Sequence, residues 1–165
     1  SLLVSTFQPL VFRLAFRLLC DEDEAKDMVQ ETFVKVWLAL GKYNGACRFS
    51  TWIYKITCNT CYDRLRSLYH SPLDNEADYS VSVNISSDDN VELAVVNKQL
   101  RELILRYTDE LSPRQRLIFT LRDIEELDVP EVQIITGLSA GIIKTTLYLA
   151  RKNIRNKMNQ IDAGL

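Results

Sequence analysis

Hydrophobic residues recur every three or four positions along most of this chain, the spacing that places them on one face of an α-helix. Between these rows lie polar stretches that contain the usual signals for helix ends. The predicted elements of the first half are a helix around Leu10, Leu14 and Leu18, a second from the acidic start Asp21–Glu24 to about Leu40, and a third, capped by Ser50 or Thr51, that reaches roughly Tyr69. A loop over residues 41–48 separates the last two.

The second half, where a helix is predicted over residues 91–107, carries sharper signals for helix ends. Ser112-Pro-Arg-Gln115 combines an N-cap, a proline at the first helical position and a capping-box glutamine. Asp128-Val-Pro-Glu131 is a second capping box, which starts a short helix through about Thr136. Gly137 suits a left-handed helix end, and Ser139 caps the next helix. Two helices joined by so short a turn predict a helix-turn-helix.

Residues 71–92 lack helical periodicity and contain six acidic residues and no Lys or Arg. This stretch is therefore predicted to be an acidic flexible linker. Tyr79, Val81, Val83 and Ile85 alternate with polar residues, but an isolated strand would have nothing to pair with. The expected fold is all-α: a helical domain over 1–70, the linker 71–92, and a helix-turn-helix domain over 93–165.

Composition narrows the class of protein. The 165 residues are 47% hydrophobic and 25% charged, which excludes wholesale disorder, and 5 Gly with 4 Pro argue against a turn-rich β fold. No apolar run is expected to be long enough to span a bilayer and no signal peptide is recognised, so a reduced, cytoplasmic protein is expected. The start at Ser1 suggests a trimmed N-terminus. The net charge of −2 argues weakly against nucleic-acid binding.

The last helix nevertheless has a basic face. Ile143, Leu147, Ala150, Ile154 and Met158 form an apolar row, whereas a second row, about 100° away, is basic and aromatic. That second row, with its flanking residues, is Lys144, Thr145, Tyr148, Arg151, Lys152 and Arg155. It suits phosphates and major-groove edges, and the alternative is a solvated charged face.

The third helix divides in the same way. Its apolar row is Tyr54, Cys58, Cys61, Leu65 and Leu68, and its polar face is Trp52, Lys55, Asn59, Asp63 and Arg66. A tryptophan beside cations and an amide is how proteins stack unpaired bases. The competing interpretation is a Trp52 that packs on the neighbouring helix through the loop.

Other chemistry is not indicated. Cys58-Asn-Thr-Cys61 has the spacing of half a zinc site, but both residues lie on the apolar row and a second ligand pair is missing. Buried thiols and no metal are predicted. One histidine and no Gly-rich phosphate loop make a catalytic site, a cofactor or a small-molecule substrate unexpected, so the chain is not predicted to be an enzyme.

Three segments resemble motifs of bacterial sigma factors of the extracytoplasmic-function group. Asp27–Trp37 resembles that family's core-polymerase-binding motif, and Phe49–Ile56 resembles its promoter-melting and minus-ten motif. Leu121–Leu127 through Ala150–Lys152 resembles its minus-thirty-five helix-turn-helix. The resemblance implies a sigma factor that binds core RNA polymerase and directs promoter recognition, melting and initiation.

The resemblance also implies roles for residues. Core RNA polymerase would be bound by Asp27, Gln30, Glu31, Phe33 and Trp37. The minus-ten strand of promoter DNA would face Asn44, Arg48, Trp52, Lys55, Asn59, Asp63 and Arg66, and the minus-thirty-five duplex would face the basic row of the last helix. An anti-sigma factor, membrane-anchored in many cases, is the implied regulator.

Two alternatives are a stand-alone helix-turn-helix regulator that binds an operator as a dimer, and a module that binds only other proteins. Because polymerase supplies most of a sigma factor's DNA affinity, the charge of −2 is compatible with a sigma factor. The acidic linker also suggests a free protein that is compact and masks its own DNA-binding faces, with a passive spacer as the alternative.

Overall fold

The computed structural model describes residues 1–69, 98–99, 102–103, 106–108 and 111–164, so the predicted linker 71–92 lies outside the described residues. Its helices are α1 (Leu2–Leu19), α2 (Glu22–Ala39), α3 (Phe49–Tyr69), α4 (Pro113–Phe119), α5 (Val129–Thr136) and α6 (Ala140–Ala163). The described parts of the predicted helix over 91–107 are helical. The described chain therefore confirms the all-α prediction.

Helices α1, α2 and α3 pack against one another as an N-terminal bundle. The side chain of Asp21 caps α2 by accepting a 2.9 Å hydrogen bond from the Glu24 amide, as the acidic start predicted. A 3-10 turn, Leu40–Lys42, extends α2 into what was predicted to be loop. The cap prediction for α3 is wrong: the helix begins at Phe49, so Ser50 and Thr51 lie inside its first turn.

The C-terminal bundle has the predicted helix-turn-helix. Asp128 and Glu131 form both halves of a capping box at α5, and Gly137 ends that helix with φ 71° in the left-handed region. Ser139 accepts a 3.3 Å hydrogen bond from the Ile142 amide and caps α6. Ser112 likewise caps α4, but the side-chain oxygen of its capping-box partner Gln115 accepts from an α6 asparagine instead. A π-helical segment, Thr120–Ile124, follows α4.

One hydrophobic cluster runs through both bundles. Helix α3 contacts α4 and α5 as well as α1 and α2, and its Cys58 and Leu65 belong to the same buried cluster as Leu117 and Ile135. The ends of the predicted apolar rows lie outside this core, because Leu68 and Met158 are 44% and 45% exposed. The two bundles are thus packed together through α3.

Helix α1 corrects the expectation that no apolar run is long enough to span a bilayer. Among the described helices it is long and apolar enough, by length and composition, to cross a membrane, and α5 with α6 passes the same test only as a pair bent by 102°. Six of its residues are buried: Val11, Leu14, Ala15, Phe16, Leu18 and Leu19. Packing against α2 and α3 accounts for their apolar character.

Candidate functional site

The outer face of α2 carries an exposed apolar patch within a polar surround. Trp37 and Leu38 are each 75% exposed and Val34 is 59% exposed. At 100° per residue these three lie on the same side of α2 as the predicted residues Asp27, Gln30 and Glu31, all of which are exposed. Burying such side chains in a partner releases apolar surface from water, so the face is suited to docking.

Two details of the α2 face differ from the pattern read in the sequence. Phe33 is partly buried and packs on the cluster that contains Val29 and Ile53, so it points away from the patch. Glu31 is held by an i,i+4 ion pair with Lys35 at 2.7 Å, and Lys35 also reaches Thr60 on α3. Val34 and Leu38 were missed, although their spacing from Gln30 and Glu31 placed them on the same face.

Trp52 is partly buried within a group of aromatic rings. Its ring centroid lies 5.2 Å from Tyr43 and 5.4 Å from Phe49, and Phe49 lies 5.4 Å from Phe7 of α1. Trp52 also packs against the buried cluster that contains Val11 of α1 and Val36 of α2, which matches the packing interpretation, and it remains partly exposed. A partly exposed aromatic fixed by its neighbours makes a rigid surface for stacking.

The loop before α3 is ordered by its own hydrogen bonds. Asn44 accepts a 3.0 Å bond from the Ala46 amide through its side chain, and Gly45 adopts φ 74°. Tyr43 donates its hydroxyl to the Cys47 carbonyl at 2.7 Å. The exposed Arg48 follows directly, so a cation stands beside a loop of defined shape.

The rest of the predicted minus-ten face follows α3 toward the C-terminal bundle. Lys55, Asn59, Asp63 and Arg66 are exposed. Asn59 also lines a groove with Arg114 of α4 and Leu138 of the turn. The guanidinium of Arg66 lies 5.7 Å from the ring centroid of Tyr62. Structure therefore brings part of this face against the other bundle.

The basic row of α6 is exposed at every predicted position. Tyr148 is 66% exposed, and Lys144, Thr145, Arg151, Lys152 and Arg155 are also exposed. Arg151 donates two hydrogen bonds to Asp123, at 2.8 and 2.6 Å, and these bonds raise the pKa of its guanidinium. Asp123 was missed because its contact depends on how the π-helical segment meets α6.

Cys58 and Cys61 are unbridged and buried on α3, as their positions on the apolar row predicted. Desolvation raises the pKa of the Cys61 thiol to about 12 and that of Cys58 well above its ordinary value. Within the described residues no group of three or more His, Cys, Asp or Glu could hold a metal ion. The absence of a metal site in the protein stays a prediction.

Comparison with known proteins matches both bundles. The family described as Sigma-70 region 2 matches residues 3–70, and the one described as Sigma-70, region 4 matches residues 101–154. The ECF RNA polymerase sigma-E factor of Salmonella typhimurium is 29% identical over 98% of this chain and 87% of its own length.

Solved structures are similar in fold. The structure of CnrH in complex with the cytosolic domain of CnrY shows a TM-score of 0.68 and 20% identity, covering 96% of this chain and 86% of that one. The structure of the sigma factor RpoE in complex with the anti-sigma factor NepR, from Bartonella quintana, shows a TM-score of 0.65 and 22% identity, and the match covers 94% of each chain.

Proposed function

The chain belongs to the ECF group of bacterial RNA polymerase sigma factors, and from that premise we propose which of its surfaces meets each partner. Sigma factors are initiation factors and not enzymes in themselves: they act with core RNA polymerase on promoter DNA. The stand-alone regulator considered from the sequence leaves the region 2 match over residues 3–70 unexplained. We propose that this protein acts in the cytoplasm, where RNA polymerase acts.

The outer face of α2 is the proposed docking surface for core RNA polymerase. The observation that carries this assignment is the exposed group Val34, Trp37 and Leu38, bordered by Asp27, Gln30 and Glu31. Interfaces take most of their energy from buried aromatic and apolar anchors within a polar rim, and this face has both. Phe33 packs against the buried cluster that contains Val29 and Ile53, so its proposed part in docking is to hold α2 in position.

A titration against core polymerase tests this assignment. Trp37→Ala is expected to weaken binding by about 30-fold, because truncating a central aromatic anchor costs about 2 kcal/mol or more. Leu2→Ala is the matched control, since Leu2 is 85% exposed on another helix. Equal affinities for both variants and the wild type would exclude this face as the docking surface, and circular dichroism would confirm that Trp37→Ala is folded.

The minus-ten strand is proposed to lie along Asn44, Arg48, Trp52, Lys55, Asn59, Asp63 and Arg66. The support is their position along one side of α3 and its preceding loop, where all of them are exposed except the partly buried Trp52. The minus-thirty-five duplex is proposed to contact the basic row of α6. Run-off transcription with core polymerase on a promoter library tests both, because damage to either surface should abolish selection of the corresponding element only.

The proposed domain division follows from these roles: residues 1–70 bind polymerase and the minus-ten element, 71–92 form a tether, and 93–165 bind the minus-thirty-five element. An anti-sigma factor is the proposed regulator, supported by the two similar structures, which hold CnrY and NepR. We propose that it is anchored in the membrane. Cross-linking in the producing cell, followed by fractionation of membranes, should recover it with this protein.

A further inference from the structure

The carboxylate of Glu125 forms hydrogen bonds between the two bundles. The side chain of Glu125 is only 4% exposed and receives hydrogen bonds from three residues of the N-terminal bundle. Arg13 donates to it at 3.2 Å, the Tyr54 hydroxyl donates at 2.8 Å, and Arg17 donates to the other oxygen. Within the described residues, the donors to this carboxylate thus all come from across the interface.

The surroundings make this contact strong. Arg17 is 22% exposed, so its ion pair with Glu125 is largely shielded from water. Two cations and a hydroxyl leave both carboxylate oxygens satisfied, which is the condition for a buried charge to stabilise an interface. Burial, together with the neighbouring carboxylate, raises the pKa of Tyr54 to about 12, so its hydroxyl remains a donor. Around them the apolar cluster is continuous between α3, α4 and α5.

The closed arrangement conflicts with reading a promoter. Elements centred near minus ten and minus thirty-five are separated by about 25 base pairs, or about 85 Å at 3.4 Å per pair. A compact chain of 165 residues has a radius of gyration of only about 15 Å. The same packing brings Asn59 of the minus-ten face into the groove beside Arg114. The two DNA-binding surfaces therefore cannot reach both elements until the bundles separate.

We propose that Glu125 is a latch: held by Arg13, Arg17 and Tyr54, it keeps the free protein in a closed, self-inhibited form that core RNA polymerase must open. Glu125, Arg13, Arg17 and Tyr54 are not among the residues proposed to dock on polymerase or to bind DNA. The inference rests on the proposed function for its consequence, but the closed form itself is a property of the free chain. If polymerase binds only the open form, closure lowers the apparent affinity for polymerase in proportion to the fraction of open molecules.

Solution scattering of the full chain tests the latch without polymerase. Glu125→Ala is expected to raise the radius of gyration by about 3 Å or more above the compact value. Arg17→Ala should raise the radius of gyration less, since two donors to Glu125 remain. This variant replaces Glu125→Ala in the test if Glu125→Ala loses its helical circular dichroism. Glu126→Gln is the control, because Glu126 is the adjacent, exposed acid. A wild type already expanded, or variants as compact as it, would overturn the latch.

Binding to purified core polymerase tests the inhibition. If closure is inhibitory, Glu125→Ala should bind about threefold tighter or more, while Glu126→Gln matches the wild type. Expansion of the free protein with unchanged or weaker core binding would overturn the inhibitory role. A wild type that fails to bind core would contradict the proposed function, whereas the scattering result would still decide whether Glu125 holds the bundles together.

Discussion

Arg151 donates two hydrogen bonds to the carboxylate of Asp123. These bonds connect the exposed basic row of α6 to the π-helical segment that precedes the helix-turn-helix. Half of the Arg151 side chain remains exposed, against 24% for Asp123. A guanidinium has five N–H donors, so Arg151 can bond the Asp123 carboxylate with two of them and still offer the others to DNA. Arg151 therefore has a structural part as well as its proposed contact with the duplex.

Arg151→Ala is expected to lower both stability and DNA binding. Loss of this partly exposed pair should cost at most about 1 kcal/mol of unfolding free energy, because solvent screens it. Loss of a phosphate contact should reduce the salt slope of minus-thirty-five binding by about 1. Urea unfolding and holoenzyme binding at several salt concentrations measure the two effects.

Lys144→Ala provides the comparison for Arg151. Lys144 is exposed on the same row. Its truncation should therefore reduce the salt slope by a similar amount and leave the unfolding free energy nearly unchanged. Equal stability losses for both variants would contradict the structural part assigned to Arg151.

Trp52→Ala should destabilise the N-terminal bundle by about 2 kcal/mol, less than a fully buried tryptophan would cost, because the indole is only partly buried against Tyr43 and Phe49. Trp52→Phe keeps an aromatic surface and should recover most of that stability. If the proposed stacking holds, Trp52→Ala also slows opening of duplex promoters more than transcription from a pre-opened bubble. A folded Trp52→Ala with normal opening would limit Trp52 to packing.

Local signals explain what the sequence predicted well. The caps at Asp21, Ser112, Asp128 and Ser139 each need only residues three positions away, so their pattern was readable without the fold. The exposed basic row of α6 followed from helical spacing alone. The same holds for the buried positions of Cys58 and Cys61.

Contacts between distant segments explain the rest. Helix α3 starts at Phe49 rather than after Ser50 because the Phe49 ring packs on Phe7 and Tyr43, which no local pattern reveals. The surroundings of Glu125 are spread over 112 positions of sequence. The patch at Val34 and Leu38 was hidden in the sequence by the charged residues interleaved with it. The roles assigned to residues in binding polymerase and DNA depend on contacts with those partners, so these roles are proposals.

The buried thiols should make stability fall at alkaline pH. Folding raises the pKa of Cys61 from 9.0 to about 12 and also raises that of Cys58. Above pH 9 the unfolded chain loses protons that the folded chain keeps, so stability present below pH 9 declines toward pH 12. The expected slope is about 1.4 kcal/mol per pH unit for each thiol. Urea unfolding of the wild type and of Cys61→Ala between pH 8 and 10.5 measures it, and identical slopes would contradict this burial.

Thiol labelling offers an independent check of the same burial. Cys47 lies partly exposed in the loop before α3, whereas Cys58 and Cys61 are at most 1% exposed. Native protein at pH 8 should therefore react quickly at Cys47, and the α3 thiols should react only after unfolding. Peptide mapping after a short alkylation pulse identifies the labelled residues. Rapid labelling of Cys61 in folded protein would be incompatible with its position on α3.

Two glycines of the helix-turn-helix should respond in opposite directions to the same added methyl group. Gly137 has φ 71°, where a Cβ is strained, whereas Gly141 lies inside α6; an added Cβ would meet no atom within 4 Å at either position. Because neither site is crowded, the backbone conformation decides whether the added methyl group raises or lowers the free energy of unfolding. Gly137→Ala should cost about 1–2 kcal/mol, and Gly141→Ala should stabilise the domain by up to about 1 kcal/mol. Thermal unfolding of the two variants beside the wild type tests this, with Gly137→Asn expected to lose less than Gly137→Ala because asparagine tolerates the left-handed region. Destabilisation by both alanines would mean that α6 does not begin at Ala140.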